Sequence, residues 1–251
     1  MQDITGTLEP VVFHKGNLPV IDTDWSAGAV FIVDKPYHWT SFRVVGLIRK
    51  LIGIKKVGHA GTLDPLATGV VVVCVGKATK LVESYMNTGK TYIAEITLGA
   101  CTPSYDSETE ITESASFSHV QKEAIIELID TEFTGEIEQI PPMYSAVKHK
   151  GRPLYKMARV GKEIERAPRK VTIHSISVLD FQPPLVKLSI DCSKGTYIRS
   201  LAFDLGKKLN TLAYLSGLER TKSGSWSVDQ ALDVTTILNC LDPHGKTGIS
   251  F

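Results

Sequence analysis

The chain has little cysteine, no long apolar run and almost no surplus of charge of either sign. Its four cysteines, Cys74, Cys101, Cys192 and Cys240, lie far apart in 251 residues and form no CxxC pair, and the seven histidines stand at no ligand spacing against them. A disulfide framework and a metal site are therefore not expected. The longest apolar run, Val70 to Val75, is far short of the roughly twenty residues that span a bilayer. The first thirty residues hold no signal-peptide core, so a cytoplasmic protein with no membrane partner is expected. Internal repeats and low-complexity tracts are also missing. What remains is a 43% hydrophobic, 22% charged chain able to bury the core of one large domain or two small ones.

The net charge of +1 hides a strong asymmetry. From Lys148 to Lys170, nine Lys and Arg face only Glu163 and Glu165, a net of +7, whereas between Ser104 and Glu138 ten Asp and Glu face only Lys122, a net of −9. Charges sorted in this way let one segment grip phosphates while the whole stays near neutral. A solvated basic hairpin is the competing reading.

Periodicity gives a mixed α/β chain. Ala29 to Val33 reads as a buried strand, and Thr40 or Ser41 caps a helix with Val44, Val45, Ile48, Leu51 and Ile52 at helical spacing. Val70 to Val75 is a strand, followed by a short helix around Ala78 to Met86. Lys90 to Leu98 alternates as a half-buried strand. Ser118-His119-Val120-Gln121 has capping-box form and predicts a helix through about Ile129. Val171 to Phe181 and Leu185 to Cys192, separated by Gln182-Pro183-Pro184, predict a hairpin. A helix from Thr196 to about Leu209 and a strand from Thr211 to Glu219 follow. The fold class is α/β of the α+β type, a large mixed, mostly antiparallel sheet flanked by helices.

One loop, GHAGTLDPLATG from Gly58 to Gly69, places a single carboxylate, Asp64, between leucine and proline. Pro65 disfavours helical backbone at Asp64, and burial of Leu63 and Leu66 draws the carboxylate toward a partly dry wall. There it needs a partner or a task. An Asx turn that merely ties the loop is the alternative. Arg199 raises a matching question, because a cation in the first turn of the helix after Lys194-Gly195-Thr196 opposes the helix dipole. A nearby carboxylate would hold it, with Asp64 a candidate; otherwise the arginine turns out to solvent.

The blocks GHAGTLDPLATGVVVVCVGKATKL, KTYIAEITLG, PPMYSAVKHKGRPLYKMAR and CSKGTYIRSLAFDLG, in this order across residues 29 to 226, resemble the tRNA pseudouridine synthase B family. The related guide-RNA enzymes share the Asp64 loop. The resemblance implies a pseudouridine synthase fold and a cofactor-free, redox-neutral isomerisation of the T-loop uridine of tRNA, position 55, by base flipping. It implies Asp64 as catalytic aspartate, Tyr92 stacked on the target base, Arg199 paired with the aspartate and Leu218 as an apolar contact to the base. His59 would line the space left by the flipped base. Lys35 and Pro36 match a motif that packs beside the site. The basic insertion from 141 to 170 would clasp the RNA, with Tyr144, Lys148, Arg152 and Tyr155 as contacts.

The resemblance further implies tRNA as the partner, no guide RNA and a monomer. It divides the chain into an N-terminal extension (1–28), a catalytic domain (29–226) and a short tail (227–251), the tail being too short for a full PUA domain. Two departures stand out: Ala60, where a hydroxyl residue is common, and Glu219, where a second arginine is common.

Overall fold

The computed structural model describes residues 9–245 and 248; the first eight residues of the expected N-terminal extension and most of the last six of the expected tail lie outside them. In chain order the elements are β1 (Val11–Phe13), β2 (Ala29–Lys35), α1 (Ser41–Ile52), β3 (Val57–His59), β4 (Ala67–Val75), α2 (Val82–Met86), β5 (Lys90–Leu98), β6 (Ala100–Cys101) and β7 (Glu113–Ser114). These are followed by α3 (Lys122–Leu128), β8 (Gly135–Gln139), β9 (Lys148–His149), β10 (Arg152–Pro153), α4 (Leu154–Ala158), β11 (Arg169–Gln182), β12 (Leu185–Cys192), α5 (Ile198–Lys208), β13 (Ala213–Ser223), β14 (Trp226–Ser227) and α6 (Val234–Leu241). Ten of the strands belong to the main sheet; β2 on β4, β3 on β4, β8 on β11, β11 on β12 and β13 on β14 are antiparallel and β1 on β2 is parallel. The expected α/β class with a large, mostly antiparallel sheet and helices is the one observed. Among the described residues, no helix is long and apolar enough to cross a membrane.

The chain forms two compact units, one up to Lys90 together with Glu219 onward, the other Thr91–Leu218. In the first, β2 and β4 are antiparallel neighbours, with β3 also on β4. Ala29 to Val33 and Val70 to Val75 are wholly buried, which is why both read as continuous apolar runs without alternation. α1 lays Val44, Val45, Leu47 and Ile48 into this core. The Thr40 hydroxyl accepts from the Arg43 amide at 3.0 Å, and Gly53, at φ 70°, closes the helix. The segments flanking 29–226 are built into this unit. β1 pairs with β2 in parallel, Phe13 and Trp25 pack on Phe31, and Leu232 exchanges main-chain bonds with Ile32 and Asp34.

In the second unit, Tyr92, Ala94, Ile96 and Leu98 share the buried face of β5. β11 and β12 form the predicted hairpin, with Val186, Leu188, Ile190 and Cys192 fully buried. α5 buries Ile198, Leu201, Ala202 and Leu205. The predicted capping box fails: α3 begins at Lys122 with Gln121 as its cap residue and no side-chain cap. Ser118 lies instead within a turn from Phe117 to Val120, held by burial of Val120 and by a 3.0 Å bond between His119 Nε2 and the Leu209 carbonyl. Tertiary anchoring of that turn overrides the local signal. The helix expected around Ala78 to Met86 is split into a tight 3-10 segment, Gly76–Leu81, and α2.

Candidate active site

In the first unit the backbone around Asp64 is fixed by three side chains. The Ser41 hydroxyl accepts from the Leu63 amide at 2.9 Å and donates to the Leu63 carbonyl at 3.2 Å. The Lys35 ammonium, fully buried, donates to the carbonyls of Trp39 (2.7 Å), Pro36 (3.0 Å) and Pro65 (3.4 Å). One residue thereby joins the turn before α1 to the proline that follows Asp64. Arg220, 1% exposed, donates from Nε to the Val70 carbonyl at 2.6 Å and from its two terminal nitrogens to Thr62 and Gly61 at 3.4 Å each. These ties leave Leu63 buried and Asp64 half-buried, the partly dry position expected of it.

Two glycines make this packing possible. Gly61 has φ 96°, a conformation that L side chains rarely adopt, and Gly69 has φ 103°. A Cβ on Gly69 would overlap the Arg220 carbonyl, so this glycine lets the strand bearing Arg220 approach. Ala60 is fully buried and its amide donates to the Val72 carbonyl at 2.9 Å.

The electrostatics follow from burial. Burial lowers the Lys35 ammonium from 10.5 to about 8, with Asp64 opposing the change by attraction and Arg220 adding to it by repulsion. Burial also lowers His59, so its ring is neutral at pH 7. His59 Nδ1 is buried with no hydrogen-bond partner. The ring also bonds to the Gly61 backbone within the loop, while Nδ1 is left as a polar atom available to a bound molecule.

In the second unit Arg199 turns inward, not out to solvent. It lies in the first turn of α5, 4% exposed, with Nε 3.5 Å from a carboxylate oxygen of Asp106. One terminal nitrogen donates to the carbonyls of Tyr144 (2.8 Å) and Ser104 (3.3 Å). Asp106 is itself buried and accepts from the Glu108 amide, so a carboxylate offsets the cation where the helix dipole opposes it. Tyr92 is 9% exposed on β5, and Leu218 is half-buried on β13.

The basic insertion is a small hairpin of β9 and β10 followed by α4. Its tip, Lys150-Gly151, has positive φ at both residues, as a tight two-residue hairpin turn requires. Lys148 and Arg152 are exposed and Tyr155 half-buried, with Arg159 5.6 Å from its ring. Leu154, 1% exposed, anchors the segment.

The structure thus gathers Lys35, Pro36, His59 and Asp64 in one unit, and Arg199 and Tyr144 in the other. Ser41, Arg220 and Asp106 were not anticipated. No local signal marks Arg220, which stands among Glu219, Thr221 and Lys222 like a surface residue. Among the described residues, no group of three or more His, Cys, Asp or Glu could hold a metal ion.

Comparison with known proteins converges on one family. Residues 49–198 match the model described as TruB family pseudouridylate synthase (N terminal domain). The chain is 51% identical over 201 residues to a tRNA pseudouridine synthase B of Dehalococcoides mccartyi, covering 80% of this chain and 67% of the relative. It is 45% identical over 225 residues to the protein of that name from Bacteroides fragilis, covering 87% of this chain and 96% of the relative. Among solved structures it resembles a chain of a Cbf5-Nop10-Gar1 complex, with TM-score 0.70 and 30% identity over 95% of this chain. It spans 61% of that longer chain.

Proposed function

The chain belongs to the TruB family of pseudouridylate synthases, and from that premise we propose that it isomerises the T-loop uridine of tRNA, position 55, to pseudouridine. The reaction breaks the bond from N1 of the base to C1′ of the sugar and joins C5 to the same carbon. N1 ends protonated, C5 loses its proton, and no electrons are exchanged with a cofactor.

The observation that carries the reading is the half-buried carboxylate of Asp64 on a backbone fixed by Lys35, Ser41 and Arg220. A group that adds covalently, removes a proton or steadies positive charge at C1′ works best when already in place, because no reorganisation is left for the moment of reaction. In this reading Asp64 is the catalytic residue. Tyr92 supplies an aromatic face for the base, Leu218 an apolar contact, and Arg199 is the partner that the family resemblance assigns to the aspartate. His59 occupies the space vacated by the flipped nucleotide, its open Nδ1 free to meet polar groups of the RNA. Lys35 and Pro36 act through the loop.

The insertion from 141 to 170 holds the RNA arm through Tyr144, Lys148, Arg152 and Tyr155, and residues 29–226 form the catalytic domain. The protein works as a cytoplasmic monomer on tRNA alone, without guide RNA or cofactor. Purified protein incubated with an unmodified tRNA transcript, without metal or nucleotide, is expected to give pseudouridine at one T-arm uridine. Asp64→Asn should abolish conversion and retain tRNA binding. Normal turnover by that variant, or a requirement for a guide RNA, would sink the proposal.

A further inference from the structure

A second basic surface lies outside the insertion. From Lys35 to Lys56 the chain carries Lys35, Arg43, Arg49, Lys50, Lys55 and Lys56, and no carboxylate occurs between Asp34 and Asp64. Lys35 is spent inside the fold. Arg49 and Lys50 sit in the last turn of α1, where the helix dipole favours cations. Arg43 is in the first turn, where the dipole opposes it, and Lys55 and Lys56 lie in the exposed turn before β3. The dipole accounts for none of these three, and none forms a salt bridge among the described residues.

The same stretch exposes aromatic rings. Phe42 is 66% and Tyr37 50% exposed. Arg43 lies 4.0 Å from the centre of the Trp39 ring, Arg49 6.0 Å from that of Phe42, and the rings of Tyr37 and His38 are 4.1 Å apart. His38 is held at φ 62°, a conformation that favours glycine and that costs free energy in a residue with a side chain. Bare rings set among unpaired cations match a single-stranded nucleic acid, in which bases stack and phosphates pair.

We propose that the outer face of α1, with Tyr37, Phe42, Arg43, Lys55 and Lys56, is a second RNA-binding surface, taking an unpaired base and its adjoining phosphates. This rests on the reading of the protein as a tRNA-modifying enzyme and adds a surface that the clasp does not include. It also links grip to chemistry, because Ser41, the neighbour of Phe42, holds the loop of Asp64 through both polar groups of Leu63.

The test reads binding alone, in the Asp64→Asn background so that the RNA is not converted. Affinity for an unmodified tRNA transcript is measured across a range of salt for the parent, for Arg43→Glu/Lys55→Glu/Lys56→Glu, and for Tyr37→Ala/Phe42→Ala. The charge reversals should weaken binding about tenfold or more and flatten the plot of log affinity against log salt by about 0.7 to 0.9 for each phosphate left without its cation. The ring truncations should cost about fivefold or more, the value of one stacked base, with little change in salt slope. Photo-crosslinking of the parent should place Tyr37 or Phe42 on an RNA base, an observation that needs no variant to fold. Parental affinity and slope in natively folded variants, with crosslinks confined to other residues, would overturn the surface and leave the reaction assignment standing. A parent that binds no tRNA would overturn both.

Discussion

Between Gly61 and Leu66 the backbone is held by side chains from 22 to 159 residues away, whereas from Ser145 to Lys162 the main-chain bonds that fold the insertion span ten residues or fewer. The loop is gripped by Ser41, Lys35 and Arg220. In the insertion, the Leu154 amide bonds to Val147, the Tyr155 amide to Ser145 and the Lys162 amide to Met157. The loop's cations are buried and spent on carbonyls; the insertion's Lys148 and Arg152 are exposed. The tasks proposed for them differ in the same way. A reacting carboxylate gains from having no freedom, since misplacement by about 1 Å can cost a hundredfold in rate. A grip on phosphates gains from long, hydrated side chains that adapt to the RNA and release it.

The largest expected effect tests that division directly. Asp64→Ala should lower the single-turnover rate at saturating tRNA by about a hundredfold to ten-thousandfold or more, with affinity changed far less. Lys148→Glu/Arg152→Glu should instead weaken affinity about tenfold and flatten its salt dependence, as expected when phosphates are no longer neutralised. Rate measured against RNA concentration separates the two. If the insertion variant lost its rate at saturation while the Asp64 variant lost only affinity, the division would be inverted.

Arg220 comes next, because it serves the loop without being a reacting group. Arg220→Ala leaves the carbonyls of Gly61, Thr62 and Val70 without this donor, and a buried group stripped of its partner costs about 1–3 kcal/mol. A loss of roughly 3 kcal/mol or more in urea unfolding is expected, together with a slower single-turnover step. Arg220→Lys should recover only part of both, since a compact ammonium cannot reproduce the fork of a guanidinium. Full activity in Arg220→Lys would show that charge suffices and geometry does not matter. The neighbouring Gly69→Ala should be destabilising for a related reason, because its Cβ would overlap the Arg220 carbonyl.

These anchors also mark the limit of what the sequence made legible. Buried runs such as Ala29 to Val33, the alternation of β5 and β12, and the amphipathic α1 were readable because local spacing and burial agree there. Asp64 was conspicuous as a lone carboxylate in an apolar, glycine-flanked loop. Its supports were not, since Arg220 reaches Gly61 across 159 residues and Asp106 reaches Arg199 across 93. Neither distance leaves a trace in local pattern. The capping box at Ser118 failed in the opposite sense: the motif was present, but the turn that buries Val120 displaced the helix start to Lys122. Local rules predicted elements well where they coincide with the core. Polar contacts that close over long separations needed the fold.

An effect confined to alkaline pH concerns how a buried ammonium organises the loop. Lys35 in the folded protein titrates near pH 8, against 10.5 when unburied. Below about pH 8 both states hold the proton, and the cost of burying the charge is present in full. Between about pH 8 and 10.5 the unfolded chain keeps a proton that the folded chain has released, so the Lys35 contribution to stability rises with pH across this window and then levels off. Urea unfolding of the wild type and of Lys35→Met should therefore diverge in the wild type's favour as pH increases, by at most about 1.4 kcal/mol per pH unit. Other groups titrate in the same range, and the difference between the two proteins isolates the lysine. Parallel stability curves from pH 7 to pH 10 would mean that Lys35 keeps its proton inside the fold. The attraction of Asp64 would then outweigh burial, and the loop would be organised by an ion pair more than by bonds to its carbonyls.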